Sequence, residues 1–341
     1  MNFSALKTLA TSRTGLVTGA AALTAGVTAI WVEAKARRAE RENPPTGKFL
    51  DVDGVRLHYV ERGKGLPVVL IHGNAVSLPD FEASGLIDRL ALTHRVIAFD
   101  RPGFGHSTRP RDRLWTPSAQ AELLHAALAQ LGVERPVVVG HSMGTMVAVA
   151  MALDYPADVR GLVLLGGYYY PSLRIDAMLT APVALPVLGD VMRYTVTAVS
   201  GRLAIGGLAK GMFAPRDVPA DFFPVLSREM MLRPVQIRAN AEDAAFMIPQ
   251  AKASSERHKE LRMPVTIIAG ADDLVVDVEA HSKRLHHDVP QSELILVPHT
   301  GHMVHYAAPQ EIVAAVARQS LNVFTLPETV QVSKSSLELA V

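Results

Sequence analysis

Short apolar runs alternate with segments of helical spacing along most of the chain. Six runs are largely apolar and rich in β-branched residues: 67–71, 95–99, 136–139, 162–165, 265–269 and 293–297. Two further short strands, 49–53 and 55–60, flank an Asp53-Gly54 turn. Helical spacing marks 117–131, 146–153 and 310–323. Strands that are apolar on both faces and alternate with helices predict an α/β domain with a doubly wound, mostly parallel sheet.

The alternation stops between about Tyr170 and Leu261. This stretch is apolar, rich in Met and Pro, and contains no run typical of a buried strand. We interpret it as a helical cap over the sheet edge where ligands bind, rather than as a pair of ordinary packing helices. The predicted divisions are 1–47 (N-terminal apolar segment and linker), 48–170 with 262–324 (α/β core), 171–261 (cap) and 325–341 (C-terminal tail).

The N-terminal segment contains 19 uncharged residues, from Thr14 to Val32, between Arg13 and Glu33. As a helix this run would be about 28 Å long, close to the hydrocarbon thickness of a bilayer. Three interpretations stay open: a membrane anchor, which we favour; a cleaved signal peptide with a poor cleavage site at 34–36; or an apolar helix docked on the protein. The basic residues after the run lean only slightly towards a cytoplasmic catalytic domain, so the side of the membrane stays open too.

Composition excludes several classes of chemistry. The chain has no cysteine, which rules out disulfides, thiolate nucleophiles and metal centres held by cysteine. Its formal net charge of +1 gives no reason to expect a nucleic-acid partner. With 49% apolar and 20% charged residues it has the composition of a globular protein, and we expect a small-molecule partner.

The segment Gly140-His141-Ser142-Met143-Gly144 lies directly between an apolar strand and a helix. A serine in such a turn has an exposed hydroxyl, and the glycines let neighbouring backbones approach closely. The helix that follows directs backbone N–H groups and the positive end of its dipole towards the serine. We therefore predict Ser142 as a nucleophile. The N–H groups of Met143 and of Asn74, in the turn after strand 67–71, are the predicted oxyanion hole.

A serine nucleophile needs a base, and the base needs a carboxylate to orient it. His302 follows the last strand and is the predicted base. We expect its neighbours His299 and His305 to be loop residues rather than metal ligands, because no cluster of carboxylates or cysteines accompanies them. The acid is Asp272 or Asp273, which follow an apolar strand and which spacing alone does not separate. This chemistry requires no metal and no organic cofactor.

Taken together, these motifs resemble the α/β-hydrolase superfamily over residues 48–324, most of the chain. The segments that carry the resemblance are His72-Gly73-Asn74, Asp100 to Ser107, Gly140 to Gly144, Gly270 to Asp273, and Gly301-His302. The chain order Ser, Asp, His is the order of that family. The family's acid usually stands three residues after the glycine that closes its strand, so the resemblance implies Asp273. It also implies that 100–107 stabilises a turn and takes no part in catalysis.

The resemblance implies a serine hydrolase of the esterase or lipase type, which cleaves carboxylic esters through an acyl-enzyme. Related dehalogenases and epoxide hydrolases carry Asp at the place of Ser142, which argues against their chemistry. Three alternatives stay open: a carbon–carbon bond hydrolase, a cofactor-free perhydrolase, and a non-catalytic member that binds a small ligand. His141 and Thr145 depart from the usual nucleophile turn of the carbon–carbon bond hydrolases, which weakens the first alternative. The apolar cap suggests a small or medium apolar substrate, although its Met residues could equally pack the cap itself.

Overall fold

A single twisted sheet organises the chain in the computed structural model, which describes residues 13–321 and 330–331. The strands are β1 (Lys48–Val52), β2 (Val55–Arg62), β3 (Leu66–Ile71), β4 (His94–Phe99), β5 (Val137–His141), β6 (Gly161–Leu165), β7 (Val265–Gly270), β8 (Ser292–Val297) and β9 (Val330–Gln331). Their order across the sheet is β1-β2-β4-β3-β5-β6-β7-β8-β9. Only the β1–β2 and β2–β4 pairs are antiparallel among these described strands. The predicted mostly parallel α/β sheet is confirmed.

Helices cover both faces of this sheet and fill the long connection between β6 and β7. Before the connection come α1 (Arg13–Glu42), α2 (Pro79–Ala83), α3 (Leu86–Ala91), α4 (Pro117–Gln130) and α5 (Met143–Asp154). The connection contains α6 (Ile175–Ala184), α7 (Leu188–Tyr194), α8 (Val196–Phe213), α9 (Phe222–Leu226), α10 (Arg228–Met231) and α11 (Pro234–Ser255). After it come a 3-10 turn (His258–Glu260), a π-helical turn (Glu279–Lys283), α12 (Arg284–Asp288), α13 (Val304–Ala307) and α14 (Pro309–Ser320).

The central strands are largely apolar because each of their faces meets a separate core. In β3, Val69 and Ile71 pack into the core that includes α4 and α5. The alternate residues Val68 and Leu70 pack into the core that includes α3 and α14. Side chains of a strand alternate between its two faces, so a strand covered on both sides is mostly apolar, and a polar exception such as Thr266 in β7 is hydrogen-bonded, here by Gln319.

The elements that pattern analysis did not predict are short or lie near the end of the described chain. Helices α2, α3 and α13 have only four to six residues, too few to show a helical period. Helix α14 ends at Ser320, short of the predicted residue 323. The predicted tail, 325–341, falls outside the described residues except for β9, which pairs with β8.

The two parts of helix α1 differ in exposure. From Leu16 to Trp31 its large apolar side chains are exposed. From Val32 onwards it packs on the helices between β6 and β7, with Val32 fully buried against Val183 and Ile237. The helix is therefore docked on the protein at one end and presents an apolar surface at the other.

Candidate active site

Ser142 occupies a tight turn between β5 and α5. Its φ of 51° is unusual for a residue with a side chain, and the surrounding hydrogen bonds hold it there. Its N–H donates to the carbonyl of Leu165 at 2.9 Å, and its carbonyl accepts from the N–H and the hydroxyl of Thr145 at 3.0 and 2.6 Å. Glycine is required two residues later because a Cβ on Gly144 would collide with the carbonyl oxygen of Ile71.

His302 forms a hydrogen bond with Asp273, and not with Asp272. Nδ1 of His302 lies 2.8 Å from Oδ2 of Asp273, and both side chains are almost fully buried. The other oxygen of Asp273 accepts from the N–H groups of Val275 and Val276 at 2.8 and 3.0 Å. Burial alone would raise the pKa of Asp273, but the charge and hydrogen bond of His302, with these two N–H groups, hold the pKa below its ordinary value. Asp272 is exposed.

The carboxyl end of β6 is where these groups come together. Leu165, its last residue, accepts from the N–H of Ser142. A Cβ on the next residue, Gly166, would lie 3.4 Å from Nδ1 of His302 and 3.6 Å from Oδ2 of Asp273. Because β5, β6, β7 and β8 are consecutive parallel neighbours in the sheet, the loops that carry these residues meet at one edge.

Asn74 lies in the turn after β3, and Met143 directly follows Ser142. Neither residue's backbone N–H donates to a protein acceptor within the described residues. Gly73 is packed so closely against the nucleophile that an added Cβ would lie 3.0 Å from Cβ of Ser142, which brings the Asn74 turn next to the serine. Met143 is the first residue of α5, where backbone donors are left unpaired by the helix.

A buried arginine that pattern analysis missed fixes the Asn74 turn. Arg101 is completely buried and donates to the carbonyls of His72 and Gly73 at 2.9 and 3.1 Å and to Oδ1 of Asn74 at 2.7 Å. It also pairs with Asp243 of α11 at 2.5 Å. Its backbone N–H donates to Nε2 of His72, whose pKa is lowered to about 4 by burial and by the charge of Arg101. His72 is therefore a neutral hydrogen-bond acceptor that braces the turn.

A second polar cluster lies behind the nucleophile. Nε2 of His305 lies 3.0 Å from Oδ2 of Asp80, and Nδ1 of His141 lies 4.0 Å from the same oxygen. Nε2 of His141 is 3.2 Å from the carbonyl oxygen of His302. Asp80, His141 and His305 each offer one potential metal-ligand atom, and these atoms lie within 4.8 Å of one another. The prediction that His305 is a loop residue is wrong, since it is a buried residue of α13. Its carboxylate partner Asp80 is 225 residues away in the sequence and therefore gave no local signal. His299 is an exposed turn residue, as expected.

An apolar cavity adjoins the Asn74 turn beneath the helical connection. Its volume is about 190 Å³, and its wall includes Ala75, Met212 and Asn240. The N–H of Ala75 donates to Oδ1 of Asn240 at 2.7 Å, and the carbonyl of Met212 accepts from the N–H of His302 at 3.0 Å. The cavity is therefore bounded by residues bonded to both sides of the candidate site. Asn240, in the middle of α11, carried no signal in the sequence.

Comparison with known proteins identifies the family. The α/β hydrolase fold family matches residues 67–309. A 2-hydroxymuconate semialdehyde hydrolase of Pseudomonas putida is 28% identical over 272 residues, which cover 77% of this chain and 90% of that protein. A putative carbamate hydrolase RutD of Escherichia coli O81 (strain ED1a) is 30% identical over 219 residues, which cover 64% of this chain and 77% of that protein.

The solved structures agree on the fold. A thermophilic esterase from Thermogutta terrifontis superposes with a TM-score of 0.67 at 23% identity, covering 82% of this chain and all of the esterase. The resemblance that the sequence motifs carried is confirmed by the match over 67–309, which includes the Asn74 turn, the Ser142 turn and His302. This chain belongs to the α/β hydrolase fold family.

Proposed function

We propose that this hydrolase cleaves carboxylic esters through an acyl-enzyme intermediate. Ser142 attacks the ester carbonyl while His302 accepts its proton, and Asp273 stabilises the resulting imidazolium. The N–H groups of Asn74 and Met143 stabilise the oxyanion of the tetrahedral intermediate. His302 returns the proton to the leaving alcohol and then activates the water that hydrolyses the acyl-enzyme.

One observation carries this proposal: the 2.8 Å hydrogen bond between His302 and Asp273 lies beside a serine held at a positive φ between a strand and a helix. An isolated buried histidine is more often structural, but here its partner carboxylate and the serine turn share the carboxyl edge of one sheet. The two unpaired N–H groups supply the third requirement, preorganised donors for negative charge.

The cavity supports an apolar substrate group. Its wall includes Ile205, Met231 and Leu232 in addition to Ala75 and Met212, and its polar members are few. Met212 and Met231 were among the cap residues considered for this role from the sequence, whereas Met178 is exposed and Met247 packs on Met143 and Met146. An apolar wall favours an acyl or alcohol group that has been removed from water.

A carbon–carbon bond hydrolase is the second candidate. The similarity to the 2-hydroxymuconate semialdehyde hydrolase of Pseudomonas putida favours it, since that relative covers 77% of this chain. The same three residues would serve, with His302 moving a proton during cleavage of the carbon–carbon bond. We rank it second because the wall of the cavity described above is almost entirely apolar.

Hydrolysis of p-nitrophenyl esters, from acetate to palmitate, tests the proposal with wild type and Ser142→Ala side by side. We expect a chain-length optimum in the wild type and a loss of about 10⁴-fold or more in kcat in the variant. Unchanged circular dichroism of the variant is the control for folding. Ester hydrolysis that survives in Ser142→Ala would contradict the proposal. Turnover of 2-hydroxymuconate semialdehyde without any ester hydrolysis would favour the second candidate.

The two adjacent acids provide a matched pair for the role of Asp273. Asp273→Asn keeps the size of the side chain but removes the charge that stabilises the imidazolium, so kcat should fall about 10⁴-fold. Asp272→Asn changes an exposed side chain one residue away and should leave kcat within about twofold. If both variants lose the same activity, Asp273 does not act through His302.

A further inference from the structure

The outward surface of α6, α7 and α8 is apolar. Of the 23 large apolar side chains exposed in the described residues, 11 lie between 173 and 208 and six lie on α1. The 11 are Leu173, Met178, Leu179, Leu185, Val187, Leu188, Val191, Val196, Val199, Leu203 and Leu208, and we call their surface the outer cap face. Scattered exposed apolar residues are ordinary, but a concentration of this kind marks an interaction surface.

Helix α8 is apolar on both of its sides. Val196, Val199 and Leu203 follow a spacing of three and four residues and share the exposed side, whereas Ile205 and Ala209 are buried on the opposite side. Its two charged residues are Arg202, which is paired with Glu229, and Lys210. Large apolar side chains on the outer side of a helix, in addition to its buried side, are typical of a helix that contacts an apolar environment there as well.

The outer cap face is continuous with the exposed apolar part of α1. The guanidinium of Arg202, in α8, lies 4.9 Å from the ring centre of Trp31, at the end of the apolar run. Val32 is buried immediately after it, and Glu40 pairs with Arg233 at 2.7 Å. If α1 were a signal peptide cleaved at 34–36, Val32 would be lost together with its buried contacts. Among the described helices, only α1 is both long enough and apolar enough to cross a bilayer.

We propose that the outer cap face lies in the interfacial region of a lipid bilayer in which α1 is anchored, and that the cavity takes its substrate from that bilayer. Lipid is the occupant that fits because the apolar run of α1 has the length of a membrane span and leads directly into the docked part of the helix.

The position of the cavity supports delivery from the lipid. Val183 of α6 and Ile205 of α8 form part of its wall, so the cavity lies directly beneath the outer cap face. Leu208 both lines the cavity and is exposed on that face. The route for substrate rests on the proposed ester hydrolase, whereas the lipid-facing surface does not.

The absence of cysteine makes the surface directly testable, because each introduced cysteine is unique. Full-length Leu203→Cys, Leu188→Cys and Leu92→Cys would be labelled with an environment-sensitive fluorophore and reconstituted into phosphatidylcholine vesicles. Leu92 is the matched control because it belongs to the α/β core and not to the outer cap face. Its side chain is 84% exposed, as is that of Leu203. Spin-labelled lipid should quench the probes at 203 and 188 at least about twofold and leave the probe at 92 unchanged.

Two results would overturn the lipid-facing surface. One is equal quenching at 203 and 92. The other is quenching of a Leu23→Cys probe in the apolar run of α1 without quenching at 203, which would show that α1 inserts while the outer cap face stays in water.

Substrate delivery has its own test with Val199→Glu/Leu203→Glu. Hydrolysis of a long-chain ester embedded in vesicles should fall about tenfold, because two charges oppose contact with lipid, while hydrolysis of soluble p-nitrophenyl acetate stays unchanged. An equal loss on both substrates, or no loss on either, would overturn delivery from the bilayer. Wild type without activity on any ester would overturn the proposed function and leave the fluorescence result standing.

Discussion

The helical connection between β6 and β7 meets its surroundings in two different ways. Helix α11 contacts the core through buried polar groups: Asp243 lies between Arg101 and Arg109, at 2.5 and 2.9 Å. Helices α6 to α8 contact their neighbours mainly through apolar side chains, with more exposed ion pairs at Asp190 and Arg202, and they expose many further apolar side chains. Directional bonds fix α11 to one position over the Asn74 turn, whereas apolar contacts tolerate small shifts. The part next to the Asn74 turn is thus held by directional bonds, and the part with exposed apolar side chains is not.

The largest effect should come from the buried charge that joins α11 to the core. Asp243→Asn leaves Arg101 without a carboxylate at a fully buried site, although Arg109 keeps its pair with Glu242, and the loss should lower the free energy of unfolding by about 3–5 kcal/mol. The matched control is Asp190→Asn in α7. The hydrogen bond from Arg111 lowers the pKa of Asp190 to about 2, but this pair is exposed to solvent.

Urea unfolding measures both variants. Screening by water should limit the loss in Asp190→Asn to less than about 1 kcal/mol. Similar losses in Asp243→Asn and Asp190→Asn would show that α11 and α7 are attached to the core in the same way. The proposed difference between the two parts of the connection would then be wrong.

The next largest effect should come from lowering the pH. It should destabilise the core rather than α6 to α8, because those helices contain no histidine. Burial lowers the pKa of His258, just after α11, to about 4 from its ordinary value of 6.5. Between these values the unfolded chain binds a proton that the folded protein does not, so stability falls as the pH falls. His258 should contribute up to about 1.4 kcal/mol per pH unit in this window.

The control for this pH dependence is His258→Leu, which replaces a ring whose two nitrogens both lack a hydrogen-bond partner among the described residues. Urea midpoints measured from pH 7 down to pH 4 should decline less steeply in the variant. An unchanged slope would mean that His258 is protonated in the folded protein.

A smaller effect should follow from loosening α11 over the Asn74 turn. Asn240→Ala removes the acceptor for the N–H of Ala75, at 2.7 Å, and should lower kcat about tenfold by displacing the adjacent N–H of Asn74. Thr197→Ala is the control, since Thr197 lines the same cavity without a hydrogen bond to the turn. It should change KM more than kcat. Equal reductions of kcat in the two variants would contradict a positioning role for Asn240.

The sheet could be predicted from sequence for a physical reason. Central strands buried on both faces, such as β3 and β5, leave uninterrupted apolar runs, and a parallel arrangement collects their carboxyl ends at one edge. The predictions of Ser142, His302, Asn74 and Met143 follow from that placement. Spacing did not separate Asp272 from Asp273, the resemblance implied Asp273, and it is Asp273 that forms the hydrogen bond with His302. Their catalytic roles stay predictions.

The supporting contacts could not be predicted because they join distant parts of the chain. Arg101 and Asp243 are 142 residues apart, and no local spacing connects them. Asn240 bonds to Ala75 from 165 residues away. Likewise, the sequence showed that the cap is apolar but not which side chains face outward, since that depends on how α6 to α8 pack.

The smallest effect on stability should come from the outer cap face itself. Leu203→Ser replaces a side chain that is mostly exposed, so without lipid the free energy of unfolding should change by less than about 0.5 kcal/mol. Ile205→Ala, two residues along the same helix, removes a buried group at the cavity and should cost about 2–4 kcal/mol. Urea midpoints of the two variants in the same detergent compare them directly. A loss in Leu203→Ser as large as that in Ile205→Ala would mean that this face contributes to the fold, and its exposure would then need no lipid to explain it.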